Sequence, residues 1–462
     1  MIDIQNKNAI NIYDKSITVI GMGSSGTHSA ILANHLGAKV FISDPGSNDQ
    51  INKNSMELMH SHHIATETGI HSDRIYDADL WIISPGVPKT SDIIIKAIEK
   101  NIPIVGEIEF SSWFTESPII AITGSNGKTT TSFIINKMCK TDKYHSVIAG
   151  NIGIPFSMEV LKEIKDPNKK QIYILECSSF QMEFIYHFSP DIAVYTNISE
   201  DHLDRHKTMQ EYIDMKIRLI QNIKPTGHII YNDDDRILVE SLGEKTSLHK
   251  PYGIKNKDGL FTTKDNQIIS PSGNVLINSK NLSILGKHNL YNFLAAASCA
   301  HLLGIPEEHI LNIMKNFKGI EHRLEHVTVM NNIAYINDSK ATNIQSVIVA
   351  LHTFEKPIIL LLGGYDKGSD FRLLLPHIKS CHIRAIISYG EAGGQIKTAL
   401  GDAVRLVQVT NLKSAVIKAQ SLAKPGDIVL LSPGCASYDE FSDYEQRGKV
   451  FKKTIHELKK ND

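Results

Sequence analysis

The residues best suited to chemistry lie in the stretch TGSNGKTT, Thr123–Thr130, which follows an apolar run. Gly127, Lys128 and Thr129 supply a turn, a cation and a hydroxyl just before a helical pattern. Such a loop presents backbone N–H groups to phosphate oxygens, and the helix N-terminus adds the positive end of its dipole. The lysine can reach terminal phosphates, and the Thr129 hydroxyl can bind Mg²⁺. The stretch therefore predicts a nucleoside triphosphate site.

This stretch departs from the usual phosphate-loop pattern at one position. The pattern has a glycine five residues before Gly127, where this chain has Ile122, and the first glycine comes only at Gly124. The strand-like run before the loop and the helical pattern after it are still those that the motif requires. We therefore expect a phosphate loop rather than an ordinary glycine-rich turn with a surface lysine.

Other reactive side chains follow predicted strands. Glu176 ends the apolar run Gln171–Leu175, where a nucleotide-binding sheet places a carboxylate that coordinates metal or water. His202 lies in a polar loop after the predicted strand Asp191–Tyr195, which makes it a candidate metal or phosphate ligand. Lys216 lies beside the apolar stripe of a predicted helix. Periodicity alone favours a lysine that extends along the helix surface to solvent.

A second glycine motif lies near the N-terminus. The predicted strand Ser16–Ile20 is followed by GMGSSG at Gly21–Gly26, and the next predicted strand ends at Asp44. This arrangement matches the dinucleotide-binding fingerprint, with an acidic residue about 20 residues after the glycines. Taken alone it supports an NAD-dependent oxidoreductase, although the same loop suits any pyrophosphate.

The elements that must position these residues predict an α/β fold with three domains. Residues 1–106 are expected to form a Rossmann-like domain. Residues 107–319 would form a central domain with a mostly parallel sheet like that of P-loop ATPases, and the alternating pattern at 245–285 would form a small antiparallel insert. Residues 320–462 would form a second Rossmann-like domain. A chain of 462 residues suits about three domains of roughly 150 residues each.

Composition excludes several classes of function. The formal net charge is −1, so nucleic acid is not an expected partner. We find neither a secretory signal nor an apolar run near the ~20 residues of a membrane helix. Five scattered cysteines without a CxxC pair suit free thiols in a reducing compartment. The cluster of His60, His62 and His63 lacks suitably spaced partners and predicts a solvated surface. We therefore expect a cytoplasmic protein.

Ten segments follow one another in an order found in a known family. They are TGSNGKTT, GNIG, LECSSFQ, NISEDHLDRH, the helix with Lys216, GKHNLYN, EHRLE, NDSKATN, LLLGGYDKGSDF and SPGCAS with DYEQRG. Together they resemble the Mur ligases over essentially the whole chain. NDSKATN and the SPGCAS–EQRG tail are the specific part, because the phosphate loop alone would also fit folylpolyglutamate synthase.

The resemblance implies an ATP-dependent carboxylate–amine ligase of peptidoglycan precursor synthesis. It is closest to the members that add D-glutamate to UDP-N-acetylmuramoyl-L-alanine, and the Asn-Pro-Arg signature of ligases that add a diamino acid is absent from the sequence. A carboxylate is a poor electrophile, so phosphorylation by ATP would give an acyl phosphate that the amine of D-glutamate attacks. The expected partners are ATP and these two substrates, and the chain would act as a monomer.

The resemblance also assigns roles to residues around ATP. The catalytic residues would be Lys128, Glu176, His202, Lys216 and Lys340. Two Mg²⁺ ions would be held by Thr129, Glu176, His202 and Lys216. Lys216 would be carbamylated by CO₂, which requires a neutral amine and hence a buried lysine with a lowered pKa. ATP itself would be bound by Gly124, Ser125, Asn126, Gly127, Lys128, Thr129, Thr130, Asn289, Asn292, Arg323, Asp338 and Lys340.

The two remaining substrates would bind mainly to residues of the N-terminal and C-terminal domains. By resemblance, the UDP-sugar would contact Ser24, Ser25, Asp44, Ser84, Asn151 and His202, so that the N-terminal fingerprint would not bind NAD. The two carboxylates of D-glutamate would be held by Thr342, Lys367, Ser437 and Tyr444. One departure is visible: family members often carry a polar or basic pair just after the Asp, where this chain has Pro45 and Gly46.

Three alternatives stay open from the residues. The first is the NAD-dependent oxidoreductase, which leaves the Gly124–Thr130 and Asp338–Asn343 loops without a role. The second is a nucleotide-gated binding protein that performs no chemistry. The third is another Mur ligase or a folylpolyglutamate synthase-like enzyme, which a panel of amino-acid substrates would separate from the D-glutamate ligase.

Overall fold

A computed structural model describes residues 2–4, 10–46, 53–168, 171–201, 203–255, 258–284, 286–366 and 368–461. Backbone proximity divides the chain into two compact units. The first unit comprises Met1–Leu282 and His288–Asn316, and the second comprises Ser283–Lys287 and Phe317–Asp462. No helix within the described ranges is long and apolar enough to cross a membrane.

The first unit begins with a five-stranded parallel sheet. Its strands are β1 (Ser16–Ile20), β2 (Lys39–Asp44), β3 (Ala65–Thr68), β4 (Leu80–Ile83) and β5 (Ile104–Gly106), in the order β3-β2-β1-β4-β5. Its helices are α1 (Ser24–His35), α2 (Lys53–Ser61), α3 (Asp92–Glu99) and α4 (Glu107–Ser112). The strands are rich in isoleucine and valine, as expected for a parallel sheet covered on both faces.

The first unit continues with a six-stranded parallel sheet that carries the phosphate loop. Its strands are β6 (Ile119–Thr123), β7 (His145–Gly150), β8 (Gln171–Glu176), β9 (Ile192–Tyr195), β10 (His228–Asn232) and β11 (His249–Tyr252), in the order β11-β10-β9-β6-β8-β7. Its helices are α5 (Lys128–Cys139), α6 (Phe156–Lys165), α7 (Leu203–His206), α8 (Met209–Ile217) and α9 (Arg236–Ser241). The phosphate loop follows β6, a strand in the interior of the sheet.

The predicted insert is antiparallel but shorter than expected. It contains β12 (Thr262–Lys264), β13 (Gln267–Ile269) and β14 (Val275–Asn278). The prediction that the insert starts at 245 is wrong, because β11 pairs in parallel with β10 and extends the larger sheet instead. The helices α10 (Lys287–Leu302) and α11 (Glu307–Asn316) follow.

The second unit is built on a mixed six-stranded sheet. Its strands are β15 (Glu325–Met330), β16 (Ile333–Asn337), β17 (Ile358–Gly363), β18 (Ile383–Tyr389), β19 (Leu406–Gln408) and β20 (Ile428–Leu431), in the order β15-β16-β20-β17-β18-β19. Only β15 runs antiparallel to its neighbour. The helices are α12 (Ile344–Leu351), α13 (Leu375–Ser380), α14 (Gly393–Leu400), α15 (Leu412–Leu422) and α16 (Tyr444–Asn461).

The α/β class and the mostly parallel sheets confirm the predicted fold class. The fully buried run of β17 shows why the sequence is informative here, since a continuous apolar stretch that follows a proline and ends in glycines suits an interior parallel strand. The boundaries predicted at 106/107 and 319/320 stay a prediction, although the change from the first to the second unit falls close to the latter.

Candidate functional site

The phosphate loop takes a shape that requires glycine at two positions. Gly124 has a φ of 142° and Gly127 a φ of 85°. A Cβ on Gly124 would lie 1.9 Å from Oγ1 of Thr196, and one on Gly127 would lie 2.5 Å from Oδ1 of Asn292. Ile122, where the usual motif has its first glycine, is instead a buried residue of β6. The loop therefore begins two residues later than the standard pattern.

A neighbouring loop, which follows β9, holds the phosphate loop in place. Asn197 accepts a hydrogen bond from the N–H of Asn126 at 2.9 Å and donates one to its carbonyl oxygen at 2.9 Å. The Thr196 hydroxyl donates to the same carbonyl at 2.7 Å. The N–H of Ser125 donates to the Asn197 carbonyl at 2.9 Å. Several short contacts therefore fix the backbone that is expected to meet the phosphates.

The first turn of α5 rests on two asparagines that were predicted to bind ATP. Thr131 donates its hydroxyl hydrogen to Oδ1 of Asn292 at 3.2 Å. The Nδ2 group of Asn292 donates to Oδ1 of Asn289 at 3.2 Å, and both amides are buried. The structure thus brings Asn289 and Asn292 to the phosphate loop, where Asn292 supports the helix start.

Two lysines converge on one carbonyl of the phosphate loop. Lys128 donates to the carbonyl oxygens of Gly124 at 2.7 Å and Ser125 at 2.9 Å. Lys216 donates to the Gly124 carbonyl at 2.8 Å. Only 1% of the Lys216 surface is exposed, so the expectation from periodicity that it extends to solvent is wrong. Helical spacing does not reveal that α8 packs this face against the loop.

The environment of Lys216 favours its neutral amine. Burial lowers the pKa of Lys216 well below its ordinary value, and the nearby charge of Lys128 lowers it further. The carboxylates of Asp201 and Glu176 act in the opposite direction but do not reverse the shift. The burial and lowered pKa expected for a carbamylated lysine are therefore both present.

Glu176 offers an oxygen that suits a metal ion. The residue ends β8 and is 2% exposed. Its Oε1 accepts a hydrogen bond from Nδ2 of Asn151 at 3.0 Å, whereas Oε2 is buried without a hydrogen-bond partner among the described residues. A hard cation prefers oxygen ligands, and Mg²⁺ commonly uses one or two carboxylates. Glu176 and Thr129, which lies in the first turn of α5, therefore fit the Mg²⁺ that the resemblance implies. His202 lies outside the described residues.

Asp44 is hydrogen-bonded to the N-terminal glycine motif. Its carboxylate accepts hydrogen bonds from the N–H groups of Met22 at 2.7 Å and Gly46 at 2.8 Å. The Ser84 hydroxyl donates to the Gly21 carbonyl at 3.2 Å. The structure therefore brings Asp44 and Ser84 to this loop. Ser24 and Ser25 begin α1. Pro45 and Gly46, which depart from the family pattern, directly follow Asp44, whose carboxylate accepts the hydrogen bond from the N–H of Gly46.

The second unit gathers most of its predicted site residues beside the ends of β16 and β20. Asp338 accepts hydrogen bonds from the Ser432 hydroxyl at 2.9 Å and the Leu324 N–H at 3.2 Å. Burial raises the pKa of Asp338 to about 7, although the charge of Arg323 acts against this. Nε of Arg323 is buried without a hydrogen-bond partner among the described residues, as expected where a ligand binds.

Three of the residues predicted to bind D-glutamate lie in the loops that follow β16 and β20 and at the start of α16. The ammonium of Lys340 lies 5.3 Å from the centre of the Tyr444 ring. Ser437 is buried in the loop after β20, and Thr342 is exposed in the loop before α12. Lys367 lies outside the described residues, and its role in binding D-glutamate stays a prediction.

Two residues of the site were missed by the sequence reasoning. Asn197 holds the phosphate loop, and its signal was its position in a polar loop directly after a buried strand. Arg447 lies at the start of α16 and is fully buried. Its only signal was its place in the DYEQRG motif, because nothing in local spacing shows what a helix start contacts.

Three family profiles match consecutive parts of the chain. "MurD N-terminal domain" matches residues 16–93, "Mur ligase middle domain" matches 122–300, and "Mur ligase, glutamate ligase domain" matches 322–435. Together with the full-length relatives described next, these matches show that the chain belongs to the Mur ligase family.

Curated relatives match along the whole chain. A protein from Christiangramia forsetii is 39% identical over 96% of this chain and 100% of its own length. One from Bacteroides thetaiotaomicron is also 39% identical over 96% of this chain and 100% of its own length. Both are named UDP-N-acetylmuramoylalanine--D-glutamate ligase. None of the relatives described here is an oxidoreductase, so the NAD hypothesis has no support among them.

Solved structures share the fold at lower identity. A pseudomurein peptide ligase type C from Methanothermus fervidus aligns with a TM-score of 0.60 at 19% identity, covering 96% of this chain and 100% of its own. UDP-N-acetylmuramate-alanine ligase MurC from Thermotoga maritima aligns with a TM-score of 0.59 at 18% identity, with the same coverage. These similarities concern the fold alone.

Proposed function

We propose that this chain is an ATP-dependent ligase that joins the amine of D-glutamate to the carboxylate of UDP-N-acetylmuramoyl-L-alanine. The observation that carries the proposal is the phosphate loop, on which Lys128 and the buried Lys216 converge, in a chain whose D-glutamate ligase relatives match it from end to end. The alanyl carboxylate attacks the γ-phosphate and displaces ADP. The D-glutamate amine then attacks the acyl phosphate and displaces inorganic phosphate.

The first unit supplies the groups that act on ATP. Lys128, which now bonds to loop carbonyls, transfers its hydrogen bonds to the terminal phosphates when ATP occupies the loop. Thr129 and Glu176, together with His202 and Lys216, would hold two Mg²⁺ ions. When bound, Mg²⁺ neutralises the charge of the phosphates and of the attacking carboxylate. Asn289 and Asn292 contribute to the binding of the nucleotide.

Lys216 acts as a carbamate in this proposal. Its neutral amine adds to the carbon of CO₂ and loses a proton, which converts a buried neutral group into an anion that can bind a metal. Support comes from its burial and from the lowered pKa. Labelling with ¹³C-bicarbonate should give a carbamate carbon resonance in the wild-type protein and none in Lys216→Arg. The same resonance in both proteins would contradict the assignment.

The remaining roles concern substrate recognition. Arg323, Asp338 and Lys340 contribute to ATP binding. The D-glutamate carboxylates are held by Thr342, Lys367, Ser437 and Tyr444. The UDP-sugar is bound by Ser24, Ser25, Asp44, Ser84, Asn151 and His202, where helix α1 offers N–H groups to a pyrophosphate. Because Asp44 already bonds to Met22 and Gly46, we expect it to shape the loop as well as contact the ligand.

An amino-acid panel tests the function. Purified protein is incubated with ATP, Mg²⁺ and UDP-N-acetylmuramoyl-L-alanine, and phosphate release is measured with D-glutamate, L-glutamate, L-lysine or diaminopimelate. We expect release with D-glutamate and a product that is heavier by one glutamyl residue. Release with L-lysine or diaminopimelate and none with D-glutamate would contradict the substrate assignment. Omission of the UDP-sugar serves as the control and should abolish release.

We also propose that the chain acts as a monomer in the cytoplasm. The five cysteines are all free thiols, which suits a reducing compartment. Size-exclusion chromatography with light scattering should give the mass of one chain, 51.4 kDa. A dimer mass at micromolar concentration would contradict this part of the proposal.

A further inference from the structure

Arg447 is a buried cation that makes no direct contact with a carboxylate among the described residues. Its side chain lies near the start of α16 and is 0% exposed. Within the described part of the chain, no Asp or Glu forms an ion pair with it. The carboxylates of Asp338 and Glu440 attract it from a longer distance. A buried charge without a direct ion pair is still unfavourable in a folded protein unless other interactions compensate. The position of Arg447 therefore calls for an explanation beyond packing.

Four hydrogen bonds from Arg447 join the loops that follow two neighbouring strands. Nε donates to Oγ of Ser339 at 3.0 Å, and one Nη2 hydrogen is donated to the carbonyl of the same residue at 2.8 Å. Nη1 donates to the carbonyls of Cys435 at 3.0 Å and Ala436 at 2.9 Å. Ser339 follows β16, and Cys435 and Ala436 follow β20, which pairs with β16.

A third loop and the helix start are tied to the same point. Ala436 exchanges two backbone hydrogen bonds with Tyr365, each of 3.0 Å, in the loop after β17. Gly364 in that loop has a φ of 131°, and a Cβ there would lie 2.3 Å from the Ala436 carbonyl oxygen and 3.0 Å from Nη1 of Arg447. Ser339 donates its hydroxyl hydrogen to the carbonyl of Tyr444 at 2.8 Å. One guanidinium therefore organises three loops and the first turn of α16.

These segments contain every residue predicted to bind D-glutamate. Thr342 follows Ser339 in the first loop, and Ser437 follows Ala436 in the second. Lys367 belongs to the third loop by sequence, and Tyr444 precedes Arg447 by three residues on α16. A dicarboxylate that binds here adds negative charge near Arg447, and charges interact more strongly in a protein interior than in water.

We propose that Arg447 is a positioning residue for the amino-acid substrate. Its guanidinium sets the three loops that hold the two carboxylates of D-glutamate, and its buried positive charge favours a dicarboxylic over a monocarboxylic amino acid. Arg447 itself does not contact the substrate, because its hydrogen-bonding groups are directed at the loop backbone and at Ser339. The inference rests on the proposed function and deepens it.

The test compares the KM values of three substrates in the full-length protein. Arg447→Gln removes the charge and the fork of donors, and we expect the KM for D-glutamate to rise at least about tenfold, as for the loss of hydrogen bonds to a charged group. The KM for the UDP-sugar should change less than about twofold. The KM for ATP should rise less than the KM for D-glutamate, although Asp338 and Lys340, which flank Ser339, are proposed to bind ATP. The preference for D-glutamate over D-glutamine should fall. Arg447→Lys keeps the charge and should recover part of the loss in both measures.

Arg384→Gln is the matched control, because Arg384 is paired with the carboxylate of Asp427 on the same sheet and bonds to none of the three loops. We expect it to lower thermal stability without a selective change in the KM for D-glutamate. An unchanged KM for D-glutamate in Arg447→Gln, or an equal rise for all three substrates, would overturn the inference. If Arg447→Gln does not fold, Arg447→Lys decides, since a KM for D-glutamate equal to that of the wild type would overturn it as well.

Failure of the proposed function gives a different result. In that case the wild-type protein itself uses no D-glutamate and accepts another amino acid in the panel. The positioning role is then judged by the same KM ratio for that acceptor. A monocarboxylic acceptor would overturn the part of the inference that concerns charge.

Discussion

The phosphate loop of the first unit is held in place differently from the three loops that Arg447 joins in the second unit. These three loops, which follow β16, β17 and β20, are called the amino-acid loops below. Around the phosphate loop, the side chains of Thr196, Asn197 and Asn292 each contribute one or two hydrogen bonds, and two glycines supply the turn. Around the amino-acid loops, the single side chain of Arg447 makes four. Support is distributed in the first region and concentrated in the second.

This difference has a physical reason. A phosphate loop recognises its ligand mainly through its own backbone N–H groups. Its conformation can therefore be fixed by several weak hydrogen bonds from neighbouring segments. In our proposal, the amino-acid site is assembled from side chains on three separate loops and a helix, and these need a common point of attachment. A buried guanidinium with several donors in a rigid fork provides that point. We therefore expect single substitutions of supporting residues to be mild in the first region and severe in the second.

The largest effect is expected where a group contacts ATP directly rather than supporting the loop. Lys128→Ala should lower kcat/KM by about 10³-fold or more, since charge on the transferring phosphoryl group must be stabilised by fixed cations. Lys137→Ala, on the exposed side of the same helix, is the control and should retain activity. Phosphate release would be measured for both. Near-normal activity of Lys128→Ala would show that the loop contributes backbone contacts only.

The free energy of unfolding should depend on pH through the buried carboxyl group of Asp338 in the second unit. Its folded pKa of about 7 lies above the ordinary value of 3.8, so the folded state keeps a proton that the unfolded state releases. Stability from this group is thus complete below about pH 4 and is lost as the pH rises towards 7, by about 4 kcal/mol at most. Asp338→Asn retains the shape without the titration.

The measurement for this prediction is urea unfolding of both proteins at pH 4.5 and pH 7.5. Relative to the wild type, Asp338→Asn should gain stability between the two pH values, because only the wild type carries the ionised buried carboxylate at the higher pH. An equal difference at both pH values would show that Asp338 is already ionised throughout.

The smallest effect is expected for one support of the phosphate loop. Asn197→Ala removes two hydrogen bonds to Asn126, while Thr196 keeps its own bond to the same backbone. We expect the KM for ATP to rise by roughly three- to tenfold, as for the loss of about 1 kcal/mol. Asn316→Ala, at an exposed helix end, is the control. A loss as large as that of Lys128→Ala would mean that support of the phosphate loop is concentrated in Asn197.

The sequence predicted what depends on local pattern. Continuous apolar runs identified the interior strands, and TGSNGKTT identified the loop between β6 and α5. It could not show that Lys216 is buried, because helical spacing does not say which face packs against another loop. Nor could it show the role of Arg447, whose partners are 11 to 108 residues away along the chain. Such contacts arise only when strands distant in sequence become neighbours in the sheet.

The most direct test of the proposed ligase chemistry follows the oxygen atoms of the carboxylate. UDP-N-acetylmuramoyl-L-alanine labelled with ¹⁸O in its alanyl carboxylate is incubated with ATP, Mg²⁺, D-glutamate and the protein. If the carboxylate attacks the γ-phosphate, one of its oxygens remains with phosphorus when the D-glutamate amine displaces phosphate. We predict one ¹⁸O atom in each phosphate released and one retained in the amide product. Product formed together with unlabelled phosphate would contradict the acyl-phosphate route, and phosphate released without any amide product would contradict the ligase itself.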